Sequence, residues 1–268
     1  MARHHAAGEE CARLPGRSRL GAGNDPGSHC RAAGANPLNP AAQTVSVIIP
    51  TCHRDEFLAE AIGCVLAQSS PANEVIVVDD GADDATAALV SGFGHPVHYF
   101  RQPGSRLHSG PAAVRNTGLG IAAGVYIGFL DDDDLWPVDK LESQLKYLRE
   151  NAACEVVLGY TQRMLQRTTA DEHAYFENYR EPLHLFHLGC ALFRRSVFEK
   201  VGIFNAKMRF AEDDDWFMRA REMDIDMQFQ PGVSFYYRFH QTNMTRDIEA
   251  KRAHLLHLVK YRLDRKRQ

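Results

Sequence analysis

Three short runs limit what this chain can fold into: VSVIIP at 45–50, EVIVVDD at 74–80 and VYIGFLD at 125–131. Each is nearly continuous in β-branched and aromatic residues instead of alternating apolar with polar, the pattern of a strand buried on both faces. Such strands need helices above and below them, and the intervening segments supply helical periodicity. In DEFLAEAIGCVLAQ (55–68), Phe57, Leu58, Ala61, Ile62, Val65 and Leu66 recur at helical spacing. ADDATAALVSGF (82–93) predicts a short helix and HPVHYF (95–100) a further strand. PAAVRNTGLGIAAG (111–124) and DKLESQLKYLREN (139–151) predict helices around VYIGFLD. This strand–helix alternation implies an α/β fold, a Rossmann-like α/β/α sandwich with a mostly parallel central sheet.

The second half is less regular. CEVVLGYT (154–161) predicts a strand, and 162–186 a long polar and aromatic loop. RRSVFEKVG and EDDDWFMRAREMD predict helices, and DMQFQPGVSFYYRFH strand pieces broken at Pro231–Gly232. A last helix is expected near IEAKRAHLLHLVKYRL. Residues 1–43 hold too few large apolar side chains to offset chain entropy and are expected to be disordered. The reading is thus a disordered extension (1–43), one domain (44–245) and a basic C-terminal helix (246–268).

A net charge of −3 over 268 residues argues against nucleic acid as a partner. The six cysteines include no CxxC and no paired His–Cys spacing, so free thiols of a reducing compartment are expected. No apolar stretch reaches the roughly 18 residues of a membrane span, and no signal-type apolar core stands at the start. A cytoplasmic location is expected. Residues 245–268 carry eight Lys or Arg against three Asp or Glu. That helix is expected to pack on the domain, with peripheral contact at an anionic inner membrane face as an addition.

In an open α/β sheet, ligands bind beyond the carboxyl ends of the strands. Three such ends are polar here: PTCHR, DDG and DDDD. Four adjacent carboxylates need compensation, since two unit charges 4 Å apart interact by about 4 kcal/mol at an effective dielectric of about 20. A solvated turn capping the next helix would provide it. So would a divalent cation. If the backbone stays extended, Asp131 and Asp133 share a face and offer two hard oxygen donors to Mg²⁺ or Mn²⁺. GLGIAAG (118–124) lies in a helical segment without the spacing of a dinucleotide fingerprint. His173, His184 and His187 form no zincin pattern, so no zinc site is expected.

VSVIIPT, EVIVVDDG, GPAAVRNTGL, YIGFLDDDDLW, LGCALFRRSVFEKVGIF, AEDDDWFMRA and YYRFH, in this order over roughly 45–245, resemble the family 2 glycosyltransferases of the GT-A fold. The resemblance implies an inverting, metal-dependent transferase using a nucleotide-diphosphate sugar, with UDP-sugar favoured. It implies a role in polysaccharide, glycolipid or glycoconjugate synthesis, with a carbohydrate, lipid-linked or peptide acceptor. It sets Thr51 and Asp80 against the nucleotide base, with Pro50 and Arg54 of the same segment also in the donor site. Arg115 falls near the donor diphosphate, and Asp132 faces the sugar or ribose. Asp131 and Asp133 form the DxD-type motif holding Mn²⁺ or Mg²⁺ with the donor, and His240 approaches the metal or diphosphate. Asp213 becomes the base that activates the acceptor hydroxyl. Without the resemblance, the EDDD run reads as acids complementing a helix start. His240 reads as an ordinary hydrogen-bonded histidine.

Two rival readings remain. A sugar-1-phosphate nucleotidyltransferase should carry a Gly- and Arg-rich loop after the first strand, which PTCHRDEF lacks. A non-catalytic nucleotide-sugar binder would have no need of the second acidic cluster.

Overall fold

The computed structural model describes residues 43–103, 109–169, 171–208, 210–241, 243, 258–260 and 262–263. The buried runs are strands β1 (Val45–Thr51), β2 (Glu74–Asp79) and β4 (Tyr126–Phe129), with β3 (Val97–Arg101) outside β2. Helices α1 (Asp55–Leu66), α2 (Asp84–Ser91), α3 (Pro111–Ile121) and α4 (Lys140–Glu150) alternate with them. The four strands are parallel, in the order β3-β2-β1-β4. Val47, Ile48, Ile49 and Val75–Val78 are buried, as expected of strands covered on both faces. Helix α3 approaches β1 closely because Gly118 has no side chain: a Cβ there would stand 2.4 Å from Cγ2 of Ile48. Within GLGIAAG it is therefore Gly118 that serves helix–sheet contact.

Beyond β4 the sheet becomes mixed. Strand β7 (Ala191–Arg194) runs antiparallel to β4 and to β5 (Val156–Thr168). Strand β8 (Met227–Phe239) pairs with β5 in parallel. Two expectations are corrected here. Half of the loop expected at 162–186 is a hairpin, in which β5 continues to Thr168 and pairs with β6 (Ala174–Asn178). The strand expected to break at Pro231–Gly232 is continuous. Register shifts around Tyr160 absorb the irregularity, and Gly232 takes φ +102°, a conformation open to glycine.

Helices α5 (Ser196–Val201) and α6 (Glu212–Glu222) cover this end. An aromatic cluster holds α6: Trp216, fully buried, lies 5.3 Å from Phe193 and 5.1 Å from Phe198, centroid to centroid. Arg219 of α6 pairs with Asp215 at 2.9 Å and donates to the carbonyls of Val201 and Ile203. The start of α6 is thereby fixed to the sheet.

No helix among the described residues is long and apolar enough to cross a membrane. Residues 1–42 lie outside the described residues, as does most of 246–268. Of the latter, Leu258–Lys260, Arg262 and Leu263 are helical; Leu258 is buried and Arg262 Nε reaches Glu222 at 3.2 Å.

Candidate active site

Strand β1 lies between β2 and β4, so the connections on its two sides run in opposite directions and leave a crevice at its carboxyl end. A cleft of about 470 Å³ opens there. Pro50, Thr51, Arg54, Asp80, Arg115, Asp131, Asp132, Asp133 and Asp213 all line it. His240 meets the same cluster from behind, with Nε2 3.1 Å from Asp133 Oδ2.

The acidic tetrad is a turn, not an extended segment, which corrects the register expected for Asp131 and Asp133. The Asp134 amide donates to the Asp131 carbonyl at 3.1 Å, and the four carboxylates are divided among several partners. Asp131 accepts from Arg115 Nη2 at 2.5 Å. Asp132 accepts from Thr51 Oγ1 at 2.8 Å and from Arg54 Nη1 at 3.3 Å. Asp133 accepts from the same Arg54 nitrogen at 2.6 Å. Asp134 is fully buried and accepts the Arg238 amide at 2.8 Å, so the fourth acid ties the turn to β8. The electrostatic cost persists: burial, then the neighbouring Asp133 charge, pushes Asp132 up to about 7. Burial also raises Asp134.

The DDG segment divides into two roles. Asp79 is buried and accepts from the Gly81 and Asp83 amides at 2.8 and 3.0 Å and from the Tyr99 hydroxyl at 2.9 Å, which fixes the turn into α2. Asp80 lines the cleft, where Ser109 Oγ and the Gly110 amide donate to it at 2.6 and 2.9 Å. A carboxylate can accept about four hydrogen bonds, so Asp80 keeps capacity for a ligand donor.

Arg115 joins the two acidic clusters. Its guanidinium, 7% exposed, bonds Asp131 on one side and Glu212 on the other. Burial would lower its proton affinity, but the Asp131 and Glu212 charges outweigh that and raise it. Of the four acids opening α6, Glu212 is taken by Arg115, Asp215 by Arg219, and Asp214 is exposed. Asp213 remains as the acid facing the cleft. Burial raises its pKa, a charge on His187 opposes this, and Asp214 adds to it. Helix α6 begins from Ala211 at φ 58°, a left-handed conformation that costs a non-glycine residue about 1–2 kcal/mol.

Sequence reasoning missed His187, Phe210, Tyr237 and Asn243, all of which line the cleft. Asn243 ties Arg238 to the acidic turn, donating to the Arg238 carbonyl at 3.1 Å. The signal for His187 was weak, since it stands among other histidines. Gly189 two residues later marks its tight turn.

A family model described as glycosyl transferase family 2 matches residues 46–202, more than half of the 268. The chain belongs to glycosyl transferase family 2. A putative teichuronic acid biosynthesis glycosyltransferase, TuaG of Bacillus subtilis, is 33% identical over 135 residues, 48% of this chain and 51% of TuaG. The uncharacterized glycosyltransferase EpsJ of B. subtilis is 26% identical over 232 residues, covering 81% of this chain and 67% of EpsJ. An uncharacterized glycosyltransferase of Rickettsia felis is 43% identical over 109 residues, and the match spans 17% of that longer protein. Among solved structures, S. aureus TarS 1–349 with UDP-GlcNAc aligns at TM-score 0.62 and 18% identity, over 76% of this chain and 61% of TarS. The mannosyltransferase PcManGT of Pyrobaculum calidifontis, with GDP-Man and Mn²⁺, aligns at 0.64 and 20%, over 85% and 66%. These likenesses carry the fold, which is GT-A.

In this family 2 site no three His, Cys, Asp or Glu groups among the described residues converge in metal-holding geometry. The donor set nonetheless fits a hard divalent cation. Asp131 and Asp133 offer carboxylate oxygens and His240 an imidazole, while burial, and then the adjacent Asp133 charge, holds Asp132 above its usual range. Arg54 lies where it partly balances that charge.

Proposed function

We propose that this family 2 protein is an inverting glycosyltransferase, moving a sugar from a nucleotide-diphosphate donor, with UDP-sugar favoured, to an acceptor hydroxyl in cell-envelope polysaccharide or glycoconjugate synthesis. One observation carries the reading. The aspartate turn beyond β4 and Asp213 at the start of α6 face a single cleft, and Arg115 joins the turn to Glu212, the neighbour of Asp213. Asp80 and Thr51 form the nucleotide end, and Asp132, bonded to both Thr51 and Arg54, stands beside the ribose or sugar.

Asp213 accepts the proton of the acceptor hydroxyl as its oxygen bonds to the anomeric carbon, and the bond to the diphosphate oxygen breaks with the electron pair leaving on the phosphate. Attack from the face opposite the leaving group inverts the anomeric centre, and no protein nucleophile is needed. A base with raised proton affinity suits this task. Mn²⁺ or Mg²⁺, when bound by Asp131, Asp133 and His240, supplies positive charge for the departing diphosphate. Relatives support the donor class: TarS and PcManGT bind UDP-GlcNAc and GDP-Man respectively.

The test pairs calorimetric donor titration, with and without Mn²⁺, with transfer rates. Asp133→Ala should lose the Mn²⁺-dependent part of donor binding. Asp213→Asn should bind donor normally and turn over about 10²- to 10⁴-fold more slowly. Full turnover by Asp213→Asn would remove Asp213 from the base role.

A further inference from the structure

His187 is held more firmly than a half-buried loop histidine needs to be. Its Nδ1 accepts the Gly189 amide at 3.0 Å, which leaves the proton of the neutral ring on Nε2. The ring stacks on Phe235, with centroids 4.7 Å apart and planes at 23°. Phe235 in turn reaches that position because Gly189 carries no side chain: a Cβ there would stand 2.3 Å from Phe235 Cε2. Trp136 Nε1 fixes the same turn by donating to the Gly189 carbonyl at 2.8 Å. Three residues therefore set the orientation of one imidazole, and that imidazole lines the cleft.

The neighbours of His187 give it a task. His187 lines the same cleft as Asp131 and Asp213, the two carboxylates where donor and acceptor meet. Among the described residues its Nε2 carries no hydrogen bond, and those two carboxylates can only accept when ionised. A hydroxyl group is complementary to that pair, because it donates to a carboxylate and accepts from an N–H. We propose that His187 is a positioning residue whose Nε2–H donates to a sugar hydroxyl shared with Asp131 or Asp213. Shared with Asp131, the hydroxyl belongs to the transferred sugar; shared with Asp213, it belongs to a carbohydrate acceptor. This rests on the glycosyltransferase reading, and it assigns to that site a specificity contact on a hydroxyl.

The test uses the full chain and two variants, His187→Ala and His187→Gln, the second retaining an N–H donor. One arm titrates UDP, UDP-glucose and UDP-N-acetylglucosamine by calorimetry with Mn²⁺. The other follows methyl glycosides of glucose, galactose and mannose by saturation-transfer NMR with UDP and Mn²⁺ present. His187→Ala should lose about 2- to 10-fold in affinity, the value of one neutral hydrogen bond. UDP affinity should not change, and His187→Gln should recover most of the loss. A loss confined to the nucleotide sugars identifies the transferred sugar, and one confined to the glycosides identifies the acceptor. If neither arm responds to His187→Ala, or if UDP binding falls equally and His187→Gln restores nothing, the inference is overturned. Absence of any UDP or UDP-sugar binding by the unmodified protein would instead overturn the donor reading itself, and this inference with it.

Discussion

Replacing Arg115 with methionine keeps much of the side-chain bulk and removes the charge between Asp131 and Glu212. Both carboxylates are then left without their cation in a place where the guanidinium is 7% exposed. Breaking a buried pair in this way costs about 3–5 kcal/mol. For a domain of roughly 150–250 residues, each kcal/mol moves Tm by about 2–4 °C, so Arg115→Met should melt about 6–20 °C lower near pH 7.5. The pH dependence identifies the cause. In the unmodified protein Asp131 is held below its unfolded pKa: burial would raise it, but Arg115, with His187 and Arg54 adding to it, outweighs that. Its contribution is therefore present above the unfolded pKa and is lost as pH falls through the folded one. Glu212 already sits above its usual value through burial, although Arg115 opposes this. Without Arg115 both carboxylates move above their unfolded values, and the cost of ionising them inside the fold disappears as pH falls. Urea melts of both proteins at pH 8, 6.5 and 5 should show the gap narrowing toward acid. A gap as wide at pH 5 as at pH 8 would mean that packing, not charge, accounts for the loss.

Lys140 is buried, donates to Gln144 Oε1 at 2.5 Å and to the Ala191 carbonyl at 3.0 Å, and burial pushes its pKa down to about 7. The unfolded chain then binds the extra proton up to about pH 10.4, so unmodified stability should rise with pH from about 7 to 10 relative to Lys140→Met in urea melts. Gly189→Ala should lower stability by about 1–3 kcal/mol in urea unfolding, because the new Cβ meets the Phe235 ring. Asp80→Asn should weaken UDP more than CDP in calorimetry, since only the uracil ring offers an N–H to the carboxylate; equal losses would remove Asp80 from base recognition.

The parallel half of the fold was legible because its signal is local. Continuous apolar runs such as EVIVVDD and helical spacing from Phe57 to Leu66 each specify their own element. The antiparallel half was not. Residues 162–168 and 174–178 carry no strong apolar alternation, and they become strands by pairing with one another and with β8. Most of the nine expected residues around the cleft stand at or just beyond strand ends, which sequence locates well. How the four acids of DDDD divide their work does not, since it depends on Thr51, Arg54, Arg115 and Arg238, distant in the chain. His187 stayed hidden for the same reason, its orientation being set by Phe235 and Trp136.

The Arg115 bridge bears on how such a molecule can be recombined. Arg115 and Glu212 are 97 positions apart, and between them the chain passes from the segments around β1 and β2 to those that carry Asp213. A chimera joining this first half to the second half of another family 2 protein would keep its two acidic clusters in register only if the incoming helix opened with an acid that could meet Arg115. Grafts chosen on that criterion should fold with a shared cleft. Grafts without it would bury an unmatched guanidinium at the seam, however well the remaining surfaces fit.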